Sequence, residues 1–158
     1  MSDKKAKSMN REEMEKIIRE EEVGYLCMCM ENVPYGLPLS YAFVDGKIVF
    51  HSKKTGKKMD FINKNHRVCF VVSRHPDRAM PHKADTECEY RFESVVCQGT
   101  ARIVEDNSEK LEYLKKFKAH FDEVRGLDPN KGRVPEAAAK KTGIVVITID
   151  EMTGRRKG

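Results

Sequence analysis

Asp45-Gly46 stands between two β-prone runs, Tyr35 to Val44 and Lys47 to His51, and constrains the fold more tightly than any other dipeptide in the chain. A two-residue Asp-Gly loop suits the primed turns whose twist matches paired antiparallel strands, so these runs form a hairpin. Further strands flank it. Val23 to Met30 is an apolar run too short for a helix and is stopped by Glu31-Asn32 and Pro34, while Arg67 to Val72 is rich in β-branched residues. Tyr90 to Val104 reads as a long or bent strand with Gly99 as a bulge or close-approach point, and Thr142 to Asp150 as a final strand.

Helices occupy the remainder. Asn10 with Glu13 forms a capping box, and Met14, Ile17 and Ile18 then make one apolar face of a helix to about Glu22. Thr55 is placed to cap a short helix to about Asn63, and Asp106 with Glu109 caps one whose Leu111, Leu114, Phe117 and Phe121 share a side. Pro135 to Lys141 makes a short fourth. About six strands follow one another without long helices between them, which predicts a mainly-β antiparallel barrel with peripheral helices rather than a doubly wound sheet.

The 158 residues suit one domain with a real core, taken as 10–158 behind a disordered tail over 1–9. No apolar run approaches the ~18 residues of a membrane span, and Met1 to Asn10 lacks the apolar stretch of a secretory signal, so a soluble, cytoplasmic chain with no membrane partner is expected. The net charge of +5 is spread along the chain, its local excesses at Lys4, Lys5, Lys7 and at Arg155, Arg156, Lys157 reading as solvated tails. Nucleic acid is not an expected partner, because no basic face with stacking aromatics or a reading helix is evident. Five cysteines without a CxxC pair fit reduced thiols, and Cys27 and Cys29, two apart on one strand, read as small core hydrophobes.

Chemistry concentrates at Phe50-His-Ser-Lys-Lys-Thr-Gly-Lys-Lys58, where a strand end meets a helix start. Unpaired N–H groups and the positive end of a helix dipole favour an anion there, whereas Lys53, Lys54, Lys57 and Lys58 crowd that end with cations at a cost. A bound phosphate reverses the penalty, with Ser52 and Thr55 as hydroxyl donors, Gly56 allowing close backbone approach and His51 in reach. On these residues alone an anion site and a solvated lysine loop both remain open. Neither GxxxxGK[ST] nor GxGxxG occurs, so nicotinamide would act only as a transient co-substrate. His75, His82 and Cys88 share a polar loop with spacings unlike a zinc site, and are read as part of a loop at a pocket mouth; no metal is expected. Glu87 and Glu89 have no partner that defines glycosidase or aspartyl chemistry.

Tyr35-Gly-Leu-Pro-Leu-Ser-Tyr41, Asp45-Gly-Lys-Ile-Val-Phe-His-Ser52, Gly56-Lys-Lys58 and Asn65-His-Arg-Val-Cys-Phe70 follow in an order and spacing that resembles the pyridoxamine-5′-phosphate-oxidase-like, FMN-binding split-barrel proteins, nearest the nitroimidazole-resistance branch. Tyr90-Arg-Phe-Glu-Ser-Val-Val-Cys-Gln-Gly-Thr-Ala-Arg102 and Ile149-Asp-Glu-Met-Thr-Gly-Arg155 extend the resemblance from about Asn10 to the C-terminus. It implies a split β-barrel homodimer with two FMN sites at the subunit interface. Pro38, Leu39, Ser40 and Tyr41 would lie along the isoalloxazine ring, largely through backbone groups, and His51, Ser52, Lys57 and Lys58 would hold the ribityl phosphate. Ser94, Val95 and Gln98 would reach the far side of the ring, and Met152 and Arg155 match the closing motif, with a frayed tail as the other reading of that segment. The longer arginine-rich flavin motif of the vitamin B6 oxidases is not evident, so that reaction is not expected.

The resemblance thus implies an FMN-dependent oxidoreductase that takes electrons from a donor such as nicotinamide and passes them to a small planar acceptor of the nitroimidazole or nitroaromatic type. No catalytic acid, base or nucleophile is conspicuous, as suits chemistry carried by a cofactor. The alternatives are a non-catalytic flavin-binding or flavin-sensing module, and a split barrel holding haem or a deazaflavin.

Overall fold

The computed structural model describes residues 6–75 and 91–157. In chain order the elements are β1 (Lys7–Ser8), α1 (Arg11–Glu20), β2 (Val23–Met30), β3 (Val33–Ser40), β4 (Ala42–Val44), β5 (Lys47–Ser52), α2 (Lys57–Lys64), β6 (Arg67–Arg74), β7 (Phe92–Val104), α3 (Asn107–Val124), α4 (Glu136–Lys141) and β8 (Gly143–Lys157). Asp45 and Gly46 join β4 to β5 with φ of 51° and 73°, the primed-turn geometry that the dipeptide favours. Glu31 and Asn32, at φ 51° and 63°, make the same reversal between β2 and β3 without a glycine.

The described strands pair antiparallel in one eight-stranded sheet ordered β3-β2-β6-β7-β8-β5-β4, with β1 beside the far half of β8. The sheet curls because one stretch of chain serves both of its ends. β3 pairs with β2 and β4 with β5, and only Tyr41 lies between them. Tyr41 is fully buried, its ring edge-on to Phe70 at 4.9 Å. Its N–H donates to the Glu22 carbonyl at 3.2 Å and its hydroxyl to the Ile18 carbonyl at 2.7 Å, tying the crossing strand to the end of α1. Burial drives its phenol far above the usual pKa, so it stays a neutral donor. The result is the split barrel expected from the sequence.

Two apolar layers follow. The barrel interior holds Ile17, Ile18, Leu26, Ile48, Phe50, Phe70, Val95 and Ile147, plugged by α1 and α2. A second layer lies outside the barrel, where Val44, Val49, Val104, Ile144 and Val146 meet Leu114, Phe117 and Phe121 of α3. With both faces covered, Gly143 to Ile147 are all buried, which explains a continuous apolar run where a half-exposed strand would alternate. Beyond Ile147 the strand alternates. Gly99 sits at the irregularity in the β7–β8 register, and a Cβ there would fall 2.5 Å from the Thr148 carbonyl oxygen, so no larger residue fits.

Several expectations are corrected. The run from Tyr35 to Val44 is two strands that begin at Val33, and α1 stops at Glu20. Thr55 does not cap α2: Gly56 is the N-cap and no side chain bonds the helix start. Lys7 and Ser8 pair with Arg156 and Arg155, and Met9 is buried, so these residues of the expected tail are part of the sheet and core. Arg155 to Lys157 are strand rather than loose tail, and Arg156 is ion-paired with Glu13. Cys27 and Cys29 face outward, leaving Cys97 as the core thiol among the described cysteines. Tyr90, His82, Cys88, Glu87 and Glu89 lie outside the described residues. Among those that are described, no helix is long and apolar enough to cross a membrane.

Replacing Tyr41 with Phe leaves the Ile18 carbonyl without its donor in the core, and is expected to lower the unfolding free energy by about 1–3 kcal/mol in urea titration. His120 on α3 gives a pH dependence. It is 7% exposed with Nε2 unpartnered, and burial first, then Arg19, hold its pKa below the usual 6.5 against Glu123, the Phe43 backbone and Glu22. The unfolded chain therefore takes up this proton first, so the contribution to stability is whole above pH 6.5 and is lost as pH falls through the folded-state value. Urea midpoints measured from pH 7.5 down to 5 should fall more steeply for the native chain than for His120→Phe.

Candidate functional site

Two features are candidates for a site, the start of α2, which meets β3 on its core side through Tyr35, and the half of the sheet that α3 leaves bare. At α2, the amides of Met59 and Asp60 bond the Gly56 carbonyl, while the amides of Lys57 and Lys58 precede the first intrahelical bonds and have no side-chain cap. Gly56 has φ 126° and ψ 172°, a conformation essentially restricted to glycine, with open space where a Cβ would stand. α1 and α3, by contrast, are capped by Asn10 and Asp106. Lys57 is exposed and its Nζ lies 4.3 Å over the Tyr35 ring and 5.9 Å from that of Phe61, so aromatic faces hold the cation beside β3. Lys58 is half-buried.

His51 and Ser52 part company. Successive residues of a strand point to opposite faces, and His51 lies outward with its ring edge-on to Phe117 of α3 at 4.9 Å. Ser52 is half-buried and its hydroxyl donates to the Lys53 carbonyl at 2.9 Å, beside the lysine loop. One position therefore receives Ser52 and the lysines more readily than His51.

The bare sheet face carries three rows of paired residues. Pro38, Tyr25, Val71, Val96 and Thr153 align across five strands as an apolar row, with Tyr25 49% exposed. A polar row on one side joins Ser73, Ser94, Arg155 and Ser8. On the other side Gly36, Cys27, Cys69, Gln98 and Glu151 are aligned. Pro38, Ser94, Gln98 and Arg155 thus share this face, and Arg155 is exposed. Ser40 is exposed as well, whereas Leu39 turns inward to pack on the core.

Val95 and Tyr41 are placed differently. Both are fully buried, and the Tyr41 hydroxyl and N–H are already spent on α1 and Glu22, so neither offers a side chain to a ligand on the face. Met152 is half-buried against the core opposite Cys97. Tyr25, Tyr35 and Phe117 were not singled out by sequence reasoning. Alternation of Val23, Tyr25, Cys27 and Cys29 on β2 was the available signal for the first; the other two depend on contacts between elements far apart in the chain.

Fold and face together define a split-barrel protein. The pyridoxamine 5′-phosphate oxidase family matches residues 10–156, and the chain belongs to that family. Similar solved structures include a candidate 5-nitroimidazole antibiotic resistance protein from Bacteroides thetaiotaomicron, 21% identical over 96% of this chain and 87% of that one, with a TM-score of 0.76. A FAD-binding protein from Mesorhizobium loti is 22% identical over 97% and 99%, with a TM-score of 0.72. The flavocytochrome Anf3 from Azotobacter vinelandii is 20% identical over 97% and 69%, at 0.76. At these identities the likeness is one of fold. No curated protein matches the chain significantly.

Because Gly56 occupies a backbone region closed to other residues, Gly56→Ala is expected to cost about 1–3 kcal/mol, read as a lower urea midpoint.

Proposed function

We propose that this protein is a flavoprotein that binds FMN between two copies of the chain and reduces a small planar acceptor. The observation that carries the reading is the uncapped start of α2, where the amides of Lys57 and Lys58 have no side-chain acceptor and both ammonium groups stand in the first turn, with Asp60 the one acidic residue of that turn. That arrangement fits a phosphate monoester, which takes the amides, the helix dipole and both ammonium groups at once. Family membership supports a flavin, and the similar structures described as FAD-binding and as a flavocytochrome are consistent with it. FMN is favoured over FAD because the anion site is a single helix start with no GxGxxG for a second phosphate.

In this reading Ser52, Lys57 and Lys58 hold the phosphate, and the backbone from Pro38 to Ser40 borders the ring. His51 touches the ribityl side at most, given its contact with Phe117. Ser94, Gln98 and Arg155 line the open face from the opposite direction. The apolar row through Tyr25 and Val71 suits a second copy, which would shield the ring from water. Bound flavin supplies two-electron transfer; the chain positions it, limits access and offers hydrogen bonds, with no acid or base required. A nitroimidazole or nitroaromatic acceptor and a nicotinamide donor complete the proposal, supported by the resemblance of the motifs and the fold of the Bacteroides protein.

The visible spectrum of the purified protein, titrated with FMN and separately with FAD, tests the first step. A flavin band saturating with FMN is expected, and none with either flavin overturns it. Lys57→Ala with Lys58→Ala should weaken FMN at least about tenfold, on the scale of ~1.4 kcal/mol for lost charge-assisted bonds. Anaerobic bleaching by reduced nicotinamide and reoxidation by a nitroimidazole over several turnovers separates a reductase from a flavin-binding module.

A further inference from the structure

Cys27 of β2 and Cys69 of β6 face each other directly in antiparallel register, in the third row of the open face. Directly opposed residues share one side of a sheet, with Cα atoms about 4.5–5.5 Å apart, inside the ~4.4–6.8 Å range that a disulfide spans. Their Cβ atoms stand roughly 4.5–5.5 Å apart where a disulfide holds them at about 3.5–4.5 Å, so a side-chain rotation and a draw of up to about an ångström join the sulfurs. Both thiols are free and half-buried. Cys27 Sγ now leans 4.0 Å from the Tyr25 carbonyl, in space left by Gly36 on the neighbouring strand. Burial pushes the Cys69 thiol up, and the neighbouring Cys27 adds to it.

The other described thiols are placed otherwise. Cys97 is buried on the inner side of β7, where burial pushes it up to about 12, and Cys29 is exposed opposite Pro34.

We propose that Cys27 and Cys69 form a redox-active dithiol that closes to a cross-strand disulfide on the open face of the chain while no second copy covers it. The Cys27 thiolate attacks one sulfur of a small-molecule disulfide such as oxidised glutathione, whose S–S bond breaks and releases one thiol. The Cys69 thiolate then attacks the Cys27 sulfur of the mixed disulfide and expels the second thiol. Two electrons and two protons pass from the cysteine pair to the small disulfide, which departs as two thiols. The chain between the two cysteines includes β3, β4, β5 and α2, so the bond closes the segment from Pro38 to Lys58 into one covalent loop. Where the flavin reading holds, that loop carries the whole phosphate grip, and the redox state of the pair governs how firmly the grip is framed.

The full chain, reduced, is incubated with excess oxidised glutathione, alkylated, digested without reductant and mapped by mass spectrometry. The expected product is a Cys27–Cys69 cross-linked peptide pair lighter by two hydrogens than the two reduced peptides together, Cys97 without a glutathione adduct, and full reversal by dithiothreitol. The oxidised form should also unfold at a higher urea concentration than the reduced one, since the bond constrains the unfolded chain. In a Cys29→Ser background the same link should form; in Cys69→Ser a glutathione adduct should persist on Cys27. Separate adducts on the two cysteines of the native chain, a link through Cys29, or an unchanged mass would overturn the proposal. Mapping is done with and without FMN, so the cross-link stands or falls independently of flavin binding.

Discussion

One stretch of backbone belongs to both ends of the sheet, and the bonds at Tyr41 hold it in its crossing. From β3 the chain has to leave β2 and reach β5 within a single residue, a step that removes Tyr41 from both ladders. A residue there without regular sheet partners leaves buried polar groups to satisfy. Tyr41 meets that demand with its amide on Glu22 and its hydroxyl on Ile18, so helix α1 becomes a fixed point against which the barrel rolls. The capping box of Asn10 and Glu13 anchors the far end of the same helix, and Glu13 is also paired with Arg156 of β8. Closure of the sheet and docking of the helix are therefore one event energetically.

That closure divides the outer surface in two. α3 lays Leu114, Phe117 and Phe121 over β4, β5 and the start of β8, and the strands beneath it are apolar on both sides. The rest of β8, with β7, β6, β2 and β3, keeps one side in the core and turns the other to solvent. On the second half Ser94, Gln98, Arg155, Cys27 and Cys69 share the outer side of the sheet. The uncapped start of α2 touches β3 through Lys57 and Tyr35, on the strand's core side. A rigid two-sided core thus carries an adaptable one-sided surface.

Much of this was legible in single residues where the signal is local. Asp45-Gly46 carries its turn in its own conformational preference, the Asn10 and Glu13 box marks a helix start, and the apolar run within Thr142 to Asp150 marks a strand. Signals that depend on a distant partner stayed hidden. Glu31-Asn32 adopts the turn only because β2 and β3 are paired on either side of it, and Lys7 with Ser8 forms strand only because β8 runs on to receive it. The site was legible in type and less so in geometry. Lysines crowding a helix start raise an anion site in the sequence without excluding a solvated loop, whereas strand alternation sends His51 and Ser52 apart and Val95 inward, and placing that alternation relative to core and helix requires the assembled sheet. Cys27 and Cys29 look like core filling until the exposed side of β2 is identified.

β3 carries proline at positions 34 and 38, on a strand that among the described residues pairs only with β2. A proline offers no N–H, so the free border of β3 cannot be continued by a strand from another molecule. Contact through the broad flat side of the sheet ends with two molecules by symmetry, while contact through a border repeats without end. The two prolines therefore hinder growth of the sheet from this border into a fibre, although the sheet keeps an exposed apolar side.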